Sequence, residues 1–190
     1  MNQAMAVHIS FSTLFTLVLG CTLVSEGRAE VYLTQEQALK IAFPKAEEIE
    51  TVTLSLDREL KIRIEKRAQT PVRFSEIPVY IGRTQGQPIG YAMIHDVKGK
   101  ARPITYMVVI NPQGRAARVE ILAYRESHGY EVRYPSFLKQ FFGKSLADPI
   151  RNHQDILNIS GATISCRAIA DGVRLLLGVW EEFYGKEVVP

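Results

Sequence analysis

The feature that most constrains this chain is a long amphipathic stretch near its C-terminus. Across residues 164–184, Ile169, Val173, Leu176, Leu177 and Trp180 recur at offsets of 4, 7, 8 and 11. That spacing gathers them on one face of a helix of 3.6 residues per turn. Such a stripe has to be buried against another element, and the preceding sequence supplies one. Residues 77–82, 89–97, 104–110 and 118–124 are short runs rich in Val, Ile, Leu and Tyr. The segments Thr84-Gln85-Gly86-Gln87 and Asn111-Pro112-Gln113-Gly114 between them have turn composition. Short turns and strands of ordinary length predict an antiparallel meander. The fold class is therefore α+β: an antiparallel sheet with a long C-terminal amphipathic helix packed on it.

The remaining segments fit around that frame. Thr34 is placed to cap a short helix, with Gln37 completing a capping box and Pro44 ending it. Residues 50–56 alternate through Val52, Leu54 and Leu56 and predict a strand. Residues 58–67 are charged, and Leu60, Ile62 and Ile64 alternate, so the expectation is a short helix giving way to a strand. Phe137, Leu138, Phe141 and Phe142 stand at helical spacing after Pro135, with Gly143 as the stop. Residues 145–160 are polar and irregular, and nothing divides the region into further domains.

The first 29 residues are read apart. Residues 7–24 are apolar and hold no Lys, Arg, Asp or Glu, and Gly27 and Ala29 stand where an export signal is cleaved. Val18-Leu19-Gly20-Cys21 is close to a lipoprotein signal with Cys21 as the lipidated residue, and the length also suits an uncleaved anchor. The expectation is a signal peptide or membrane anchor over 1–29 and a single domain over 30–190, outside the cytoplasm. A net charge of +3 over 190 residues, with no dense basic run, argues against nucleic acid. Two cysteines, Cys21 and Cys166, offer no internal disulfide once the leader is gone or lipidated. No Cys/His spacing indicates a metal site.

Chemistry concentrates where the irregular segment meets the long helix, at Ser160-Gly161-Ala162-Thr163, followed by Ile164-Ser165-Cys166-Arg167. Small residues leave the backbone accessible, and a helix start offers unpaired N–H groups and a partial positive charge. That arrangement suits a phosphate; Ser160 and Thr163 capping the helix is the other reading of the same residues. A second segment, Tyr124-Arg125-Glu126-Ser127-His128-Gly129, follows the last strand of the meander. A third comprises Gly90-Tyr91 and Pro103-Ile104-Thr105-Tyr106.

In their order along the chain, the three segments resemble the FMN-binding domain family, which includes the C subunit of the sodium-pumping NADH:quinone reductase and the G subunit of the Rnf complex. The resemblance implies FMN held through a phosphoester on Thr163, with Ser160, Gly161, Ala162 and Arg167 around the phosphate. Family sites usually carry an acidic residue six positions before the threonine; here Leu157 stands there and Asp155 lies two residues further upstream. The family's Glu-Thr-Pro-Gly run corresponds to Glu126-Ser127-His128-Gly129, so Tyr124, Glu126, Ser127 and Gly129 are implied beside the ring and ribityl chain. Tyr91 or Tyr106 is a candidate to lie against the ring; packing across a sheet face is the other, more usual, place for either tyrosine. The implied function is an exported electron-transfer protein rather than a stand-alone enzyme. It would be loaded by a FAD:protein FMN transferase and serve membrane-bound redox partners. A flavin-dependent reductase with its own substrate and a non-redox ligand-binding module stay open as alternatives.

Overall fold

In the computed structural model, residues 30–185 are described; the leader and the site of Cys21 lie outside them. Six antiparallel strands form one sheet in the order β1-β6-β5-β4-β3-β2. They are β1 (Glu30–Val31), β2 (Glu48–Ser55), β3 (Glu76–Thr84), β4 (Gln87–Lys98), β5 (Pro103–Ile110) and β6 (Ala116–Tyr124). The four helices are α1 (Gln35–Ala42), α2 (Arg58–Ala68), α3 (Pro135–Leu138) and α4 (Thr163–Tyr184). The expected α+β architecture is the observed one, and β3 to β6 form the expected meander.

Strand periodicity divides the core in two. Ile104, Tyr106, Val108 and Ile110 of β5 face α4, together with Ile77, Val79 and Ile81 of β3. The intervening Met107 and Val109 face a smaller cluster with Ala38 of α1, Phe43 and Leu122. Successive side chains of a strand point to opposite faces, so a sheet covered on both sides needs apolar residues at both parities. The α1 capping box is present: Gln37 N donates to Thr34 Oγ1 at 3.2 Å and Thr34 N donates to Gln37 Oε1 at 2.9 Å.

Residues 58–68 correct the expectation of a helix yielding to a strand. They form one continuous helix, capped by Asp57, which accepts from Leu60 N at 2.8 Å. Glu59 in the first turn and Lys66 and Arg67 in the last complement its dipole. The spacing that matters is Leu60, Ile64 and Ala68, three positions one turn apart, of which Ile64 and Ala68 are buried and Leu60 half-buried while Ile62 stays 54% exposed.

That helix explains why α4 is buried on more than its predicted stripe. Ile169, Val173, Leu176, Leu177 and Trp180 are all buried, and so are Leu175 and Val179. Ile64 and Ala68 of α2 lie against Gly178. On the sheet side, a β-carbon at Gly172 would sit 2.5 Å from Tyr106 Oη, so a larger residue there would push the helix off the sheet. Residues 135–141 also differ from expectation: α3 is a single turn that tightens into a 3-10 turn over Lys139–Phe141. Phe137, Leu138 and Phe141 are buried, but the tighter winding leaves Phe142 41% exposed. Among the described residues no helix is long and apolar enough to cross a membrane.

Candidate functional site

The end of β6 and the start of α4 are held together by one small network. Tyr124 is the last residue of β6. Its hydroxyl donates to His128 O at 2.5 Å and lies 3.0 Å from Ser165 Oγ. With its one proton given to the carbonyl, Tyr124 accepts from the Ser165 hydroxyl. Burial raises the Tyr124 pKa above the ordinary tyrosine value, and the Ser165 hydrogen bond opposes that rise. Gly129 closes the loop at φ +86°, and a β-carbon there would meet Tyr124 Oη at 2.8 Å and Ala162 Cβ at 3.1 Å. The loop over residues 125–129 is thus seated against the first turn of α4.

Glu126 fastens a third piece of chain. Its Oε1 accepts from Ala101 N at 2.7 Å and from Arg102 N at 3.0 Å, which ties the β4–β5 turn to the loop after β6. Glu126 thus has a structural duty toward two backbone amides, besides the place beside the ring that the resemblance implies for it. The three pieces enclose a cleft of about 540 Å³, lined in part by Lys100, Glu126, Ser127, Gly161, Thr163 and Ile164. That volume lies within the range of small-molecule sites, about 300–1,000 Å³.

Thr163 is the first residue of α4, and its side chain is exposed. The N-cap position is Ala162, and no side chain caps the helix. The capping role open to Ser160 and Thr163 is therefore not the one observed. The first amide accounted for inside the helix is Cys166 N, which donates to Ala162 O at 2.9 Å. Thr163 Oγ1 accepts from Asn158 Nδ2 at 2.8 Å, while Asn158 Oδ1 accepts from Asn152 Nδ2 at 3.2 Å. Two asparagines of the irregular segment thereby orient the hydroxyl.

Of the residues singled out from sequence, Thr163, Gly161, Ala162, Glu126 and Ser127 line this cleft. Tyr124 and Gly129 lie beneath it, fixing the loop. Ser160 is exposed on the approach to the helix, outside the lining. Arg167 is one turn further along α4 and lines a different cleft. Of the two places open to Tyr91 and Tyr106, the structure shows packing in the core and not a seat against a ring. Tyr106 has no exposure and points at α4, and Tyr91 is buried edge-on to Trp180. Both are core residues on the inward parity of their strands. Lys100, Asn152, Asn158 and Ser165 were missed as site residues. Asn158 and Ser165 had a signal in the sequence, their nearness to the small-residue run. Cys166 is fully buried, which raises its thiol pKa, and it offers no reactive thiolate.

Residues 99–178 match the family model described as the FMN-binding domain, an interval that contains all three pieces of the cleft. The chain is 27% identical over 158 residues to the G subunit of the Na(+)-translocating ferredoxin:NAD(+) oxidoreductase complex of Acetobacterium woodii, covering 78% of this chain and 74% of that protein. Among solved structures, NqrC of Shewanella oneidensis superposes with a TM-score of 0.56 at 18% identity, covering 81% of this chain and 89% of the other. The C subunit of the Na(+)-translocating NADH-quinone reductase of Parabacteroides distasonis gives a TM-score of 0.50 at 17% identity, covering 73% of this chain and 78% of the other. These two likenesses show a shared fold. The resemblance to the FMN-binding domain family, read first from residues 124–129 and 160–163, thus recurs in the family model and in a relative's sequence.

Proposed function

We propose that this chain is an exported electron-transfer protein that carries FMN on Thr163 through a phosphoester bond. One observation carries the reading. An exposed threonine hydroxyl stands at the uncapped start of a 22-residue helix, inside the family-matched segment and across a cleft from the loop after β6. Bound FMN would supply reversible uptake and release of electrons, and the protein would supply attachment, orientation and electrostatics.

The residues present fit such a group. Gly161 and Ala162 keep the backbone of the helix start open, and its dipole would stabilise a phosphate by roughly 0.3–1 kcal/mol when exposed and up to about 2 kcal/mol when partly buried. Asn158 holds the Thr163 oxygen that would become the ester oxygen. Lys100 adds a cation to the cleft wall, and Ile164, 51% exposed, gives it an apolar lip suited to a fused ring system. Glu126 keeps the β4–β5 turn in place, and with it Lys100. Gly129 and Tyr124 hold the Ser127 loop against the helix.

The same proposal includes a FAD:protein FMN transferase as the loading partner and membrane-bound redox proteins as electron partners. It also takes residues 1–29 as signal or anchor, with Cys21 as the lipidated residue in one variant, and residues 30–190 as the FMN-binding domain. The test is intact mass after co-production with the transferase. The expected result is an added mass equal to FMN less water, absent in Thr163→Ala. An unmodified wild-type chain under those conditions, or a Thr163→Ala variant that still gains the mass, would overturn the assignment.

A further inference from the structure

A second cleft, about 620 Å³, opens beside the middle of α4 and is separate from the Thr163 cleft. Arg151, Arg167 and Arg174 all line it. Arg174 is only 5% exposed, yet no carboxylate hydrogen-bonds to it; Asp155 and Asp171 favour its charge only from a distance. Its guanidinium donates to four carbonyl oxygens, those of Arg67, Ala68, Asp148 and Pro149, at 2.6–3.1 Å. Those bonds engage four of its five N–H donors and leave its charge in place. Arg151 pairs with Asp171 and also donates to Gln69 O at 3.2 Å. Arg167 is exposed, and no hydrogen bond or ion pair among the described residues engages it. Two carboxylates belong to the lining, and Asp148 accepts from Ser145 N at 2.8 Å and Ser145 Oγ at 3.1 Å. Those hydrogen bonds leave the Asp148 charge in place, so two carboxylates, Asp148 and Asp171, stand against three guanidinium groups.

A buried cation with neutral partners is held at a cost in desolvation that an opposite charge would offset. Arginine forks match the geometry of planar or tetrahedral oxyanions. We propose that this cleft is a binding site for a small multivalent oxyanion, a phosphate ester or a polycarboxylate. The Arg167 fork would close on the ligand, Arg151 would stand at the opposite wall, and Arg174 would supply field from below. Neither the flavin nor Thr163 takes part, so this site stands or falls separately from the attachment reading.

The probes are pyrophosphate and citrate, titrated at low ionic strength into the full chain, followed by calorimetry and by amide chemical shifts. The expected result is saturable one-to-one binding of at least one probe, with perturbed amides in residues 146–153 and 167–174. Arg167→Gln should weaken binding about tenfold, the loss of one charge-assisted hydrogen bond. Asp171→Asn should tighten it, because an opposing carboxylate is gone. The inference is overturned by absence of saturation up to about 10 mM, a range that covers even millimolar affinity. It is equally overturned by perturbations confined to residues 161–165, or by the same sign of change in both variants.

Discussion

The contact between Tyr124 and Ser165 makes the sharpest test of how this site is built. Tyr124→Phe keeps the ring and removes the hydroxyl that donates to His128 O and accepts from Ser165 Oγ. A lost hydrogen bond has a net cost of about 0.5–1.5 kcal/mol, and a buried polar atom left without a partner costs about 1–3 kcal/mol. Ser165 is 4% exposed, so its hydroxyl cannot turn to bulk water. The expected loss for Tyr124→Phe is therefore about 2 kcal/mol. Ser165→Ala should cost about 1 kcal/mol or less, since Tyr124 still donates to His128 O. In the Ser165→Ala background no hydroxyl is stranded, so Tyr124→Phe should become cheaper by about 1 kcal/mol, a coupling that a double-mutant cycle reads directly. Urea denaturation followed by circular dichroism gives all four stabilities. If Tyr124→Phe lies within about 0.5 kcal/mol of wild type, or the two substitutions add, the network does not hold the loop to the helix.

The other predictions concern the seat of the loop and the irregular segment. Gly129→Ala should destabilise the fold by about 2 kcal/mol or more, from a left-handed backbone that a β-carbon disfavours and from crowding against Tyr124 and Ala162. Gly161→Ala, at φ +80° with nothing within 4 Å of a β-carbon, should carry the backbone penalty alone. Equal melting temperatures for the two variants would contradict the packing argument. Asp155 is subject to burial, which acts to raise its pKa. The hydrogen bonds from Lys144 and the Arg151 and Ile150 amides, with the Lys144 charge, more than offset this and hold it below the usual aspartate value. A depressed carboxylate contributes stability that is present above its unfolded pKa and lost as pH falls through the folded one. Unfolding between about pH 5 and pH 2 should therefore show an acid limb that Asp155→Asn flattens; an unchanged limb would count against the clamp.

Legibility in the sequence followed the range of the interactions. The strands β3 to β6 and the helix α4 were readable because each carries its own periodicity, two for the strands and 3.6 for the helix. Residues 58–68 misled because Leu60, Ile62 and Ile64 satisfy a strand pattern while Leu60, Ile64 and Ala68 satisfy a helical one. The partner that decides between them, α4, is more than a hundred residues away. Distance also hid Arg174, a charged residue inside an apolar helix whose four acceptors are the last two carbonyls of α2 and two carbonyls of the irregular segment. At the site, Thr163 and Gly129 were readable because small residues beside a helix or strand end have few other uses. Lys100 was not, because its place depends on Glu126 reaching across to the β4–β5 turn. Tyr91 and Tyr106 stayed open between ring contact and core packing because a sequence does not say which parity of a strand faces the deeper layer.

The irregular segment before α4 joins the two clefts. Asn152 lines the arginine cleft and also donates to Asn158, which in turn donates to Thr163 Oγ1. One residue earlier, Arg151 pairs with Asp171 of α4. Asp155 fixes the turn between them, accepting from Ile150 N at 3.1 Å, Arg151 N at 2.9 Å and Lys144 Nζ at 2.8 Å. Ile150 is held there at φ +45°, a conformation unfavourable for a β-branched side chain. Its side chain is fully buried, so core packing and the Asp155 carboxylate together hold a turn that its own propensity opposes. A strained turn persists only where its surroundings over-determine it. Here those surroundings also set the direction of the Thr163 hydroxyl. The orientation of that hydroxyl is consequently a property of residues 144–158 as much as of the helix on which it stands.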